Sequence, residues 1–86
     1  MKHEFKWIDP RYCIHHPVYL PKAFKYAKAM ESGAKFPPVR VHLNLDTGQF
    51  EVSNGAHRAV AAKLCGQKLL VRVSRFQHRQ LLLIED

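Results

Sequence analysis

The chain has 86 residues, 47% of them hydrophobic, which suits one small folded domain (1–86) and excludes a disordered tail. Its longest aliphatic runs, AVAA and LLLI, fall far short of a membrane span, and MKHEFKWIDP has no apolar h-region, so the expected setting is cytoplasmic with no membrane partner. Fourteen Lys and Arg against seven Asp and Glu give a net charge of +7, with no acid between Asp9 and Glu31 or between Glu51 and Glu85, a pattern that favours an anionic partner.

The first predicted element is a short strand in EFKWI, whose apolar residues alternate before Asp9-Pro10 breaks the pattern. RYCIHHPVY reads as a surface loop. Its Cys13, His15 and His16 fit no zinc spacing, so no metal site is expected, and two cysteines, Cys13 and Cys65, make no disulfide framework. A helix is predicted near residues 21–32, with Pro21 in its first turn and Gly33 as its stop. Leu20, Phe24 and Ala27 recur at helical spacing as its buried stripe, with Ala23 and Met30 close by. Lys22, Lys25 and Lys28 form the opposite face, which reads most simply as solvated.

AKFPP is a rigid connector. VRVHLNL then alternates strictly, Val39, Val41, Leu43 and Leu45 against Arg40, His42 and Asn44, which predicts a half-exposed strand within residues 38–45. DTG signals a hairpin turn, and QFEV returns within residues 49–53 with Phe50 and Val52 inward. A second helix is predicted over residues 56–65, ended by Gly66, with Ala56, Val60 and Leu64 as its stripe. KLLVRVSRF predicts a strand over residues 68–75, and QLLLIED fits either a last strand or a short helix. The order is that of an α+β domain, helices packed on a mixed, mostly antiparallel sheet.

The chemistry concentrates at Asn54-Gly55-Ala56-His57-Arg58, where a strand turns into a helix. Asn54 reads as the N-cap, and Gly55 lets a ligand's phosphate approach the backbone. Ala56, His57 and Arg58 offer first-turn N–H groups, Arg58 can fork onto phosphate oxygens, and His57 can donate once more. The same residues also allow a plainer reading. His57 falls near Ala61 and Leu64 at the edge of the apolar stripe, and Arg58 could pair with Glu51 or point into water.

PPVRVHLNLDTGQFEVSNGAHRAVAAKLCG resembles the ParB/sulfiredoxin superfamily, whose members run Pro-Pro-[VI]-x-Val, a hairpin, then Gly-x-[HR]-Arg opening an Ala-rich helix. WIDP and MESGAKFPP extend the likeness to the ParB-type N-terminal domain over roughly residues 5–76. The resemblance implies nucleoside di- or triphosphate binding (ATP, ADP or CTP type, with Mg2+ admitted), phosphates at Gly55, His57 and Arg58, a further contact from Lys25 or Lys28, and relatives that often dimerise. Sulfiredoxins carry a catalytic Cys, and many ParB proteins a Glu, where this chain has Ala56, so peroxiredoxin repair is not expected and no catalytic residue is assigned.

The sequence ends before the helix-turn-helix with which ParB proteins read their DNA sites, and no recognition helix with base-reading side chains can be pointed out, so any nucleic-acid binding is expected to be unspecific and salt-sensitive. Three functions follow: a nucleotide-binding domain, in plasmid, phage or chromosome biology; a nucleic-acid-binding domain for DNA or RNA without sequence preference, with Trp7, Tyr12, Tyr19 and Phe76 available for stacking; and a weak phosphotransferase or nucleotidase with His57 as acid–base, for which Asp9 and Glu51 are the acids to test.

Overall fold

The computed structural model describes residues 3–74; the expectation for QLLLIED lies outside them. Five strands and two α-helices follow in the order β1 (His3–Ile8), a 3-10 turn (Pro10–Tyr12), β2 (Cys13–Ile14), α1 (Leu20–Glu31), β3 (Val39–Leu43), β4 (Phe50–Asn54), α2 (Ala56–Cys65) and β5 (Leu69–Ser74). They form one sheet in the order β1-β5-β3-β4-β2. β1 pairs with β5 and β3 with β4 antiparallel, while β3 with β5 and β2 with β4 run parallel, so the fold is α+β with a mixed sheet.

Alternation along the strands decides which face is covered. Val39 and Val41 of β3 and Val71 and Val73 of β5 are at most 1% exposed and form the floor beneath the helices. The residues that alternate with them, Arg40 on β3 and Leu70 and Arg72 on β5, turn to the opposite face. Leu43 is half-buried, and Leu45 lies past the strand end and is exposed, so the inward row is shorter than the sequence suggests.

Both helix stripes need correction. In α1 the buried residues are Ala23, Ala27 and Met30, whereas Leu20 and Phe24 are 52% and 51% exposed. In α2 the buried set is Ala59, Val60, Ala61 and Ala62, and Leu64 is exposed. The cause is a shared interface. α2 packs on α1 as well as on the sheet, so it buries two sides, and its small residues let both neighbours come close. α1 turns its small residues to that contact and leaves Leu20 and Phe24 outside.

The 13–14 segment, read from sequence as loop, adds a two-residue parallel strand beside β4. The hairpin turn depends on Asn44 more than on DTG: its Oδ1 accepts the N–H groups of Asp46 and Thr47, and its Nδ2 donates to Glu51 at 2.9 Å.

Candidate functional site

α2 begins where β4 ends, and the change of direction is made at Gly55, whose φ of 105° is open to glycine and strained for other residues. Gly55, not Asn54, occupies the N-cap position, and no side chain caps the helix. The first bond inside the helix runs from Ala59 N–H to Gly55 O. The N–H groups of Ala56, His57 and Arg58 therefore make no hydrogen bond among the described residues.

Arg58 folds back over this turn. Its Nη1 donates to the carbonyls of Pro37 at 2.6 Å and Pro38 at 3.2 Å, and its Nη2 donates to Asn54 Oδ1 at 3.0 Å. Asn54 thus receives Arg58 instead of capping the helix, and Arg58 does not turn to Glu51. The guanidinium fills the space above Gly55, where a Cβ would stand 2.7 Å from Nη2. Three of the five guanidinium hydrogens are engaged, leaving one on Nη2 and the Nε hydrogen. Desolvation lowers the Arg58 pKa from its ordinary value, and the group remains a cation.

His57 joins the two helices. The backbone N–H of Tyr19, at the N-cap of α1, donates to His57 Nε2 at 3.1 Å, which places the ring proton of neutral His57 on Nδ1. At the other end Gln67, just past α2, donates to Met30 O at 3.2 Å. The helices therefore lie side by side pointing the same way, with both positive dipole ends at one end of the molecule. Neither first turn contains an acid, and neither helix has a side-chain cap.

An open groove of ≈ 660 Å³ adjoins the turn. Arg40, Arg58, Arg72 and Asn54 line it together with Phe5, Tyr26 and Phe36, and among the described residues no acid does. Tyr26 and Phe36 stack at a tilt, ring centroids 5.3 Å apart. Lys22 Nζ sits 5.7 Å from the Tyr26 ring. Lys25 and Lys28 are exposed on α1 and are not among the groove residues. Arg40, Arg72, Phe36 and Tyr26 are the site residues that sequence reasoning missed. The parallel β3–β5 pairing that gathers the two arginines is not local in sequence.

The two acids considered from sequence lie elsewhere. Asp9 lines a hollow with Ala62, Lys63 and Gly66, at the far end of α2, and its carboxylate holds Arg11 at 2.8 Å. Those hydrogen bonds from Arg11 hold the Asp9 pKa below its ordinary value. Glu51 lines a separate hollow with His15, His16 and His42. Among the described residues no group of three or more His, Cys, Asp or Glu gathers to hold a metal ion, and no helix is long and apolar enough to cross a membrane.

A five-stranded mixed sheet with a parallel helix pair on one face, and a Gly-x-His-Arg turn opening the second helix, defines the ParB/sulfiredoxin-like fold. Solved structures agree. The chain superposes on a C-terminally truncated chromosome-partitioning protein ParB from Caulobacter crescentus, complexed with CTP-gamma-S, with a TM-score of 0.72 and 16% identity, over 94% of this chain and 49% of that one. It also superposes on sulfiredoxin from Arabidopsis thaliana with a TM-score of 0.61 and 13% identity, over 84% of this chain and 83% of that one. A structure of the Caulobacter crescentus ParB complexed to the centromeric parS site gives a TM-score of 0.67 at 16% identity, over 93% of this chain and 45% of that one. The chain thus spans about half the length of the ParB structures it matches. No protein-family model and no curated protein sequence matches it.

Proposed function

We propose that the chain binds a nucleoside di- or triphosphate, its phosphates seated at the N-terminus of α2. The observation that carries this reading is the set of three unpartnered amides, Ala56, His57 and Arg58, beside an acid-free groove lined by Arg40, Arg58 and Arg72. Phosphate oxygens satisfy such amides, and the paired helix dipoles add to the attraction. Arg58 contributes its two remaining hydrogens while holding the turn to the Pro37-Pro38 connector. His57 contributes through Nδ1, since Nε2 is occupied by Tyr19. The CTP-gamma-S complex of the similarly folded ParB supports a cytidine nucleotide as the first to try. DNA binding, by likeness to the parS complex, is the second reading, and the basic stretches favour it through charge alone.

Thermal unfolding with CTP, ATP, ADP and inorganic sulfate tests the proposal, because a ligand that prefers the native state raises Tm by mass action. The nucleotide-induced rise should be lost in Arg58→Lys, which keeps the charge and loses the planar fork, and retained in Lys63→Ala, which removes a charge from the last turn of α2. Comparing the rise with each variant's own unliganded Tm separates binding from the structural role of Arg58. Equal loss in both variants would reduce the attraction to the diffuse field of a +7 chain.

A further inference from the structure

Phe5, Arg40 and Arg72 line the groove of the nucleotide reading, and the same face of the sheet, turned away from the helices, continues past them to Trp7, which does not line it. Phe5 of β1 stands in register with Arg72 of β5, and Arg72 with Arg40 of β3, so the three side chains lie across one row of that face. Trp7 lies opposite Leu70 in the next row. Phe5 and Trp7 are 63% and 66% exposed, although side chains of this size dominate burial in a small domain. Two residues apart on one strand, they stand roughly 6.5–7 Å apart, room for a base to stack on each ring.

The arginines point the same way. Directly opposed like charges on neighbouring strands are destabilising. Neither the Arg40 nor the Arg72 guanidinium has a hydrogen-bond or ion-pair partner among the described residues, where the ion pair found is Asp9–Arg11. A row of two uncompensated guanidiniums ending in an exposed ring matches a polyanion that also offers flat apolar faces. A folded protein partner would supply the rings with a pocket but would need a matched acidic pair. A duplex supplies phosphates but keeps its bases stacked inside. A single strand supplies both.

From this juxtaposition we propose that the open sheet face binds single-stranded nucleic acid, with bases on Phe5 and Trp7 and backbone phosphates on Arg72 and Arg40. The surface accepts any base, since every base has a π-face, and it reads no sequence.

Trp7 is the one tryptophan of the chain, so its fluorescence reports this face directly. Titration with an oligothymidine of about 12 nucleotides should quench it saturably, and a duplex of the same length should not. Anisotropy of a labelled oligonucleotide should show affinity about tenfold or more weaker in Phe5→Ala and in Trp7→Ala. Arg72→Gln should reduce the salt slope by roughly 1 between about 50 and about 200 mM salt. Lys63→Ala, in the last turn of α2, should leave both unchanged. These positions are exposed or half-exposed, and circular dichroism checks that each variant folds.

Equal quenching by duplex and single strand, or unchanged affinity in Phe5→Ala, would overturn the proposal in favour of unspecific charge attraction. So would sedimentation showing a dimer without nucleic acid that Trp7→Ala dissociates, since a second copy would then cover the face. The two proposals share Phe5, Arg40 and Arg72 but not Trp7, so Trp7→Ala separates them: nucleotide-induced stabilisation should persist in that variant while strand binding weakens.

Discussion

Arg58 holds the α2 turn by three hydrogen bonds and fills the space that a glycine leaves open at Gly55. The two residues form one device. Gly55→Ala meets two penalties, a left-handed backbone and a Cβ 2.7 Å from the guanidinium, so it should lower stability by about 1–3 kcal/mol and also displace Arg58. Urea unfolding measures the first effect. The second is read as a loss of nucleotide-induced stabilisation larger than the change in stability explains. Cys13 gives a residue-level check on burial. Desolvation pushes its thiol from 9.0 up to about 11, so the native state holds the proton more tightly than the unfolded chain. Its contribution to stability is therefore intact below pH 9.0 and is lost as pH rises from there towards about 11. At pH 8, iodoacetamide should alkylate the partly exposed Cys65 well before Cys13, as resolved by peptide mass spectrometry.

α2 is an element whose small residues matter more than its hydrophobic ones. Ala59, Ala61 and Ala62 are all 0% exposed, wedged between α1 and the sheet. Ala59→Leu inserts methylene groups where nothing can move aside and should cost about 1–3 kcal/mol, measured by urea unfolding; Leu64→Ala, on the exposed side, should change stability much less. This element also shows how far sequence reading reached. Its bounds, 56–65, coincide with Ala56–Cys65, because Gly55 and Gly66 both mark their ends by conformations that favour glycine. Its face did not follow from the pattern. A period-3.6 stripe identifies one buried side, whereas α2 buries two, and alanines carry too little hydropathy contrast to point at either. For the same reason Leu20 and Phe24 look like the core of α1 and are not: their partner surface was assigned to the sheet, while the helix–helix contact takes Ala23 and Ala27. The helix predicted near 21–32 is displaced by one residue, Leu20–Glu31, since Pro21 fits either of the first two positions.

At the scale of the molecule, the topology produces the chemistry. The turn motif at residues 54–58 was legible because its residues are consecutive. The groove beside it was not. Arg40 and Arg72 are separated by a hairpin and a helix in sequence, and only the parallel β3–β5 junction puts them side by side. Lys25 and Lys28, suggested by resemblance, are exposed on α1, whereas Lys22, one turn earlier, lies against the Tyr26 ring of the groove. Two helices aligned by the Tyr19–His57 contact at one end and the Gln67–Met30 contact at the other bring both positive dipole ends to the side where the unpartnered amides lie.

The most direct test is a two-dimensional amide proton–nitrogen NMR titration of the whole chain with CTP and with ATP, each with Mg2+. The expected result is saturable shifts largest at the amides of Ala56, His57 and Arg58, with the Arg58 side-chain Nε resonance moving alongside them and the amides of Lys63 and Lys68 unmoved. Shifts spread evenly over the lysines and arginines, or an unchanged α2 first turn at saturating nucleotide, would contradict a phosphate site at the start of this helix.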